Sequence, residues 1–181
     1  MRQVATRTLI TGGVRSGKSR YAEMLLADTE AVTYVAPGPV PEPATDPEWA
    51  ARVHAHQTAR PAHWTTVETG DLVGVLGDAP GAVLVDCLGT WLTRWLDERD
   101  LWERPRAEWW ADFETELDRV GSAWQTTAGV VVAVTNEVGW GVVPAYPSGR
   151  LFADLLGRVN QQLASASDRV VLMVMGRPVE L

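Results

Sequence analysis

Apolar positions along this chain fall in short continuous runs that alternate with stretches of helical period. Arg7 to Thr11 is a β-favouring run that stops at Gly12-Gly13, which predicts a buried strand entering a tight turn. Ser19 to Ala27 then carries Tyr21, Leu25 and neighbouring apolar residues at helical spacing. The run Ala31 to Ala36 predicts a second strand. Pro37, Pro39, Pro41 and Pro43 follow it, which forbids helix and favours an extended loop suited to a lid. Asp46-Pro47-Glu48 predicts a helix start, with Asp46 at the cap and Pro47 in the first turn. That helix should run toward His56 before Arg60-Pro61 stops it.

The alternation continues to the end of the chain. Trp64 to Glu68 predicts a short strand, Asp71 to Leu76 a short helix, and Ala82 to Val85 a fully apolar strand ending at Asp86. A helix containing Trp91 and Trp95 comes next, then a charged turn around Glu103-Arg104-Pro105 and a longer amphipathic helix from Pro105 to Trp124. Gly129 to Thr135 is the most strand-like run, five of its seven residues being β-branched, and it delivers Asn136 and Glu137 at its end. After a glycine- and proline-containing loop, Leu151 to Ala166 reads as an amphipathic helix and Arg169 to Met175 as the closing strand. Apolar strands alternating with helices predict an α/β fold, a doubly wound, mostly parallel sheet flanked by helices. Ligands of such sheets bind beyond the carboxyl ends of the strands, where the polar clusters of this chain fall.

Composition narrows the picture. A length of 181 residues suits one domain, and 46% hydrophobic with 22% charged residues excludes wholesale disorder. The single cysteine, Cys87, has no partner for an internal disulfide. There is neither a basic-then-apolar leader nor an uninterrupted apolar run of membrane-spanning length, so the cytosol and no stable membrane insertion are expected. A net charge of −7 with scattered arginines does not suit nucleic acid. Among 16 basic residues Lys18 is the one lysine, so its position needs a local reason.

That reason is the segment Gly12-Gly13-Val14-Arg15-Ser16-Gly17-Lys18-Ser19, which matches G-x-x-x-x-G-K-[ST] in full between a predicted strand and a predicted helix. Glycines let such a loop curl so that backbone N–H groups converge on phosphate oxygens, and the helix adds partial positive charge. Lys18 would bridge the β- and γ-phosphates of ATP or GTP, and Ser19 would ligate Mg²⁺. The whole chain, 1–181, then reads as a single P-loop nucleotide-binding domain. Asp86, following Val83-Leu84-Val85, is either the second metal contact of a Walker B strand or a cap for the helix that starts near Cys87-Leu88-Gly89. Asp86 to Gly89 also fits the D-x-x-G of GTPase switches, but Asn-Lys-x-Asp is missing.

His54, His56 and His63 lie within ten residues. His54 and His56 are two apart, so on a helix they point away from each other, which argues against zinc; a solvated polar helix end is the plainer reading. Five blocks nevertheless occur together in order: Gly12 to Glu23, Arg52 to Glu68, Val85-Asp86-Cys87-Leu88, Thr135 to Pro144, and Gly157-Arg158-Val159-Asn160-Gln161-Gln162-Leu163-Ala164. In these, from about Leu9 onward, the chain closely resembles the bifunctional adenosylcobinamide kinase / adenosylcobinamide-phosphate guanylyltransferase family of cobalamin synthesis.

The resemblance implies two reactions. ATP or GTP phosphorylates the aminopropanol hydroxyl of adenosylcobinamide; GTP then guanylylates the product through a histidine–GMP intermediate, releasing pyrophosphate. The family's nucleophile lies four residues before Arg-Pro, which carries over to His56. An imidazole of ordinary pKa, about 6.5, is roughly three-quarters neutral at pH 7 and attacks without a dedicated base. Glu68 resembles a position near the guanine nucleotide or the substrate, or is a plain strand-end acid; Glu137 either activates the substrate hydroxyl, holds metal water or caps a loop. Arg15 and Arg20 flank the lysine, where at least one is expected to contact phosphate, and Arg158 and Asn160 either pack, make a subunit contact or bind ligand. Core or interface packing is the default for the nine tryptophans; Trp140, on the loop beside Glu137, is the candidate to cover a corrinoid. A homotrimer and a recombinase-like core are further implications. Pro37 to Pro47 is longer and richer in proline than the family's loop. A single-function P-loop kinase and a nucleotide-gated regulatory module are the competing readings.

Overall fold

The strands predicted from the short apolar runs all form in the computed structural model, which describes residues 6–39, 47–48, 50–51, 54 and 60–181. They are β1 Arg7–Gly12, β2 Val32–Val35, β3 Thr65–Val67, β4 Ala82–Asp86, β5 Val131–Val134 and β6 Arg169–Val174. The helices are α1 Lys18–Leu25, α2 Leu72–Asp78, α3 Leu88–Asp97, α4 Trp110–Thr126 and α5 Pro147–Ser165. Pro47, Glu48, Ala50, Ala51 and His54 are helical, in keeping with the start predicted there. Asp46, His56 and residues 40–46 of the proline loop lie outside the described residues.

The structure departs most from the sequence reading at three places. α5 begins one turn early because Pro147 occupies its first turn, where a missing N–H is harmless. The turn predicted to open α4 is a separate 3₁₀ turn, Arg106–Glu108. A seventh strand, β7 Arg177–Glu180, was not foreseen: all four residues are exposed and Pro178 sits among them, so neither burial pattern nor propensity marks it. Met175 and Gly176, at φ 50° and 77°, form the two-residue turn that folds β7 back on β6, with Val174 opposite Arg177. The Arg169–Glu180 ion pair, 2.8 Å, ties the hairpin's far end.

The sheet order is β3-β2-β4-β5-β1-β6-β7, parallel except for β7. β4 and β5 are almost wholly apolar because a parallel strand is covered on both faces. One face sends Leu9, Val83, Val85, Val131 and Ala133 into a core with Trp91, Phe113, Trp124, Leu155 and Val159 from α3, α4 and α5. The other sends Ile10, Leu84, Val132 and Val134 against Ala22, Leu26 and Trp64. The fold is therefore doubly wound. β1 lies between β5 and β6, and the chain departs from β1 first to one side of the sheet and later to the other. A switch of this kind opens a crevice at the carboxyl end of β1, where the glycine loop begins.

Trp95 meets Phe113 edge-on at 5.6 Å in the larger core, and Phe113 is fully buried. Phe113→Ala should lower stability in urea unfolding by about 3–5 kcal/mol, whereas the same truncation at exposed Trp140 should change it by less than about 0.5 kcal/mol.

Candidate nucleotide-binding site

The glycine loop is built on one position that tolerates no side chain. A Cβ on Gly12 would stand 2.6 Å from the Met173 carbonyl oxygen of β6, and φ there is 149°. Gly17, at φ 95°, makes the left-handed step that starts α1, and Gly176 of the β6–β7 turn lies directly against it. The Gly176 amide also donates to the Ser16 carbonyl at 2.9 Å, so the unforeseen hairpin braces the loop. Lys18 folds back over it: its Nζ donates to the Gly12 carbonyl at 2.9 Å and to the Gly13 carbonyl at 2.7 Å. The hydroxyls of Thr11 and Ser16 are buried here with no protein partner. Val14, Arg15 and Arg20 are exposed.

Two strands away, Asp86 ends β4. Ile10 pairs with Val134, and Val134 with Asp86, so Asp86 is level with β1 at a separation of roughly 10 Å from the 4.8 Å strand spacing. The capping alternative for Asp86 is set aside by the geometry: Cys87 is the N-cap of α3, exchanging contacts with Thr90. Asp86 instead accepts the Tyr34 hydroxyl at 3.0 Å. Burial first, and then the Asp86 charge, hold that phenol far above its ordinary pKa, so it remains a donor. The Arg60 guanidinium lies 3.5 Å over the Tyr34 ring and donates to Thr66 at 3.2 Å. An open cleft of about 520 Å³ is lined by Arg60, Pro61, Ala62, Trp64, Thr66 and Glu68. Arg60 Nε and Trp64 Nε1, both N–H donors, are buried without a protein acceptor.

The third wall is the exit of β5. The Glu137 amide donates to the Gly12 carbonyl at 3.2 Å, the oxygen that Lys18 also engages. The Glu137 carboxylate accepts from the Gly139 amide at 3.4 Å. Asn160 is a packing partner of this exit, whereas Arg158 pairs with Glu114 of α4 at 2.8 Å. Trp140 is exposed, with Val142, Val143 and Tyr146 exposed on the same loop.

The fold thus gathers Gly12 to Ser19, Asp86 and Glu137 at the carboxyl ends of adjacent strands, and Glu68 at the cleft beside them. His54 is helical and exposed, while His56 lies outside the described residues. Sequence reasoning passed over Tyr34 and Arg60. A tyrosine in a buried strand needs a hydroxyl partner, and Asp86 at the end of the next strand was the available one. Arg60 was read as a helix stop and as the landmark that places His56; its stacking depends on a tertiary contact with no local signature.

Fold and loop together define a P-loop nucleotide-binding α/β protein. A solved ATPase of the type III secretion system of pathogenic bacteria shares the fold, with a TM-score of 0.55 at 11% identity; the match covers 93% of this chain and 51% of that one. The chain belongs to the cobinamide kinase / cobinamide phosphate guanyltransferase family, whose model matches residues 8–181. It is 39% identical over 183 residues to the bifunctional adenosylcobalamin biosynthesis protein CobU of Salmonella typhimurium, covering 96% of this chain and 98% of that one. It is 38% identical to the bifunctional adenosylcobalamin biosynthesis protein CobP of Pseudomonas aeruginosa, covering 97% and 96%.

Gly12→Ala should destabilise the fold by about 2–4 kcal/mol in denaturant titration and remove nucleotide binding, because carbonyl or loop must move. Gly13→Ala meets nothing within 4 Å and should fold with stability within about 0.5 kcal/mol of the parent. Burial first, and then Asp86, raise the Cys87 thiol pKa. The neutral thiol favours the fold below the unfolded value of about 8.5, and that contribution is lost as pH rises above it. Alkylation of folded protein by iodoacetamide should therefore be slow at pH 8 and accelerate on unfolding.

Proposed function

We propose that this chain carries out both reactions by which its family is described. In the first, ATP or GTP phosphorylates the hydroxyl of adenosylcobinamide. In the second, GMP passes from GTP to adenosylcobinamide phosphate by way of His56, giving adenosylcobinamide-GDP and pyrophosphate. The observation that carries the reading is the complete phosphate loop, with Lys18 held on the Gly12 and Gly13 carbonyls at the switch point of the sheet. Nucleotide binding exchanges these carbonyl oxygens for β- and γ-phosphate oxygens, and the exchange is favoured because the new acceptors are charged.

Glu137, half-buried at the β5 exit, takes the proton of the attacking hydroxyl in the kinase step. In the second reaction a His56 ring nitrogen attacks the α-phosphorus of GTP, and pyrophosphate leaves with the bonding pair. A phosphate oxygen of the corrinoid substrate then attacks the same phosphorus, and the bond to the imidazole breaks. Guanine suits the cleft beside β3, where its N1–H and amino group meet the Glu68 carboxylate and its O6 takes an N–H from Arg60 or Trp64.

Mg²⁺ fits the donor set. Tyr34 occupies one oxygen of Asp86 and orients the carboxylate, and Ser19 lies in the first turn of α1, next to Lys18. One hydroxyl and one carboxylate are what Mg²⁺ uses when phosphates and water complete its shell, so Ser19 and Asp86 would hold it. When bound it neutralises charge developing on the transferred phosphoryl group. The homotrimer is proposed on the family resemblance, the working of the chain as one domain on its length, and the cytoplasm on its single cysteine. Among the described residues no helix is long and apolar enough to cross a membrane.

GTP labelled at the α-phosphate tests the reading. About one label per chain should stay on the protein, acid-labile and base-stable, lost in His56→Ala and kept in His54→Ala. Label retained in His56→Ala would overturn the nucleophile. Absence of label with intact cobinamide phosphorylation would leave a single-function kinase. Lys18→Ala should lower kcat/KM for phosphorylation about a hundred- to a thousandfold.

A further inference from the structure

Where β5 ends, a buried strand turns into the loop that carries Glu137, and two backbone-proximal groups there need partners. One is the hydroxyl of Thr135, which is fully buried; the other is the carbonyl of Asn136. A single side chain on α5 satisfies both. Thr135 Oγ1 donates to Asn160 Oδ1 at 2.6 Å, and Asn160 Nδ2 donates to the Asn136 carbonyl at 3.1 Å. The next amide along, that of Glu137, donates to the Gly12 carbonyl, which Lys18 Nζ also reaches. A continuous path of hydrogen bonds therefore runs from α5 through the β5 exit to the phosphate loop.

The anchor of that path is firm. Two residues beyond Asn160, Gln162 Nε2 donates to the Leu117 carbonyl at 3.3 Å and to Asp118 at 2.9 Å, and Arg158 pairs with Glu114. These contacts clamp α5 to α4 on either side of Asn160. The position also demands one acceptor and one donor in a fixed fork, which asparagine supplies. An ionised aspartate keeps the acceptor but loses the donor.

We infer that Asn160 is a positioning residue for phosphoryl transfer: by holding Thr135 and Asn136 it aims the Glu137 amide at the Gly12 carbonyl and so sets where Lys18 stands. It touches no reacting atom. The inference rests on the assignment of Lys18 to the phosphates, given above.

The test is steady-state cobinamide phosphorylation by the full chain, with thermal unfolding and with hydrogen exchange of the segment containing Glu137. Asn160→Asp should lower kcat about tenfold, the equivalent of one hydrogen bond, while nucleotide KM changes less than about threefold. Its unfolding should remain cooperative and its Glu137 amide should exchange faster. Thr135→Val acts on the same path from the strand and should lower kcat about threefold. The double variant should lose no more than Asn160→Asp alone, because one path is broken only once. Should Asn160→Asp fail to fold, Thr135→Val decides.

Folded single variants with parental kcat would overturn the inference. So would a kcat loss that only follows the folded fraction, with Glu137 exchange unchanged. Parental kcat in Lys18→Ala would instead overturn the phosphate assignment, and the exchange result would still read the path itself, so the two failures are distinguishable.

Discussion

The structure turns on a bare backbone at Gly12. Its carbonyl accepts both the Lys18 ammonium and the Glu137 amide, while the space a side chain would fill belongs to the Met173 carbonyl of the neighbouring strand. Three strands meet at that point: β1 contributes the oxygen, β5 the amide and β6 the wall. A parallel sheet permits the meeting because its strands end together, so groups far apart in the chain arrive at one edge without long side chains.

Around that point the two halves of the sheet's edge carry different chemistry. On the β1 side the groups are backbone amides, hydroxyls and one ammonium, which suit phosphate. On the β2–β3 side they are an aromatic ring, a stacked guanidinium, an indole N–H and a carboxylate, which suit a flat heterocycle. Tyr34 links them, since its ring carries Arg60 and its hydroxyl holds Asp86. Both kinds of surface lie along the carboxyl edge of one sheet.

Much of this was legible in order and spacing. Each apolar run became a strand, and Lys18, as the one lysine, marks the phosphate loop in the sequence. The blocks Thr135 to Pro144 and Gly157 to Ala164 carried the family resemblance, yet their purpose was not readable from them. Thr135, Asn136 and Asn160 are 24 and 25 positions apart in their pairings, and nothing in either block says that they meet. β7 escaped notice for the opposite reason: its residues are exposed, and it exists because a turn of positive φ returns it to β6.

Periodicity, glycine placement and the phosphate-loop motif were enough for class, topology of alternation and the place of the glycine loop, because each is a property of neighbouring residues and the backbone they permit. The partner of Asp86, the stack of Arg60 on Tyr34, the brace from Gly176 and the fork of Asn160 came only with the folded chain. They are contacts between side chains and backbone that the sheet order brings into register, and sheet order is set by how the whole core packs.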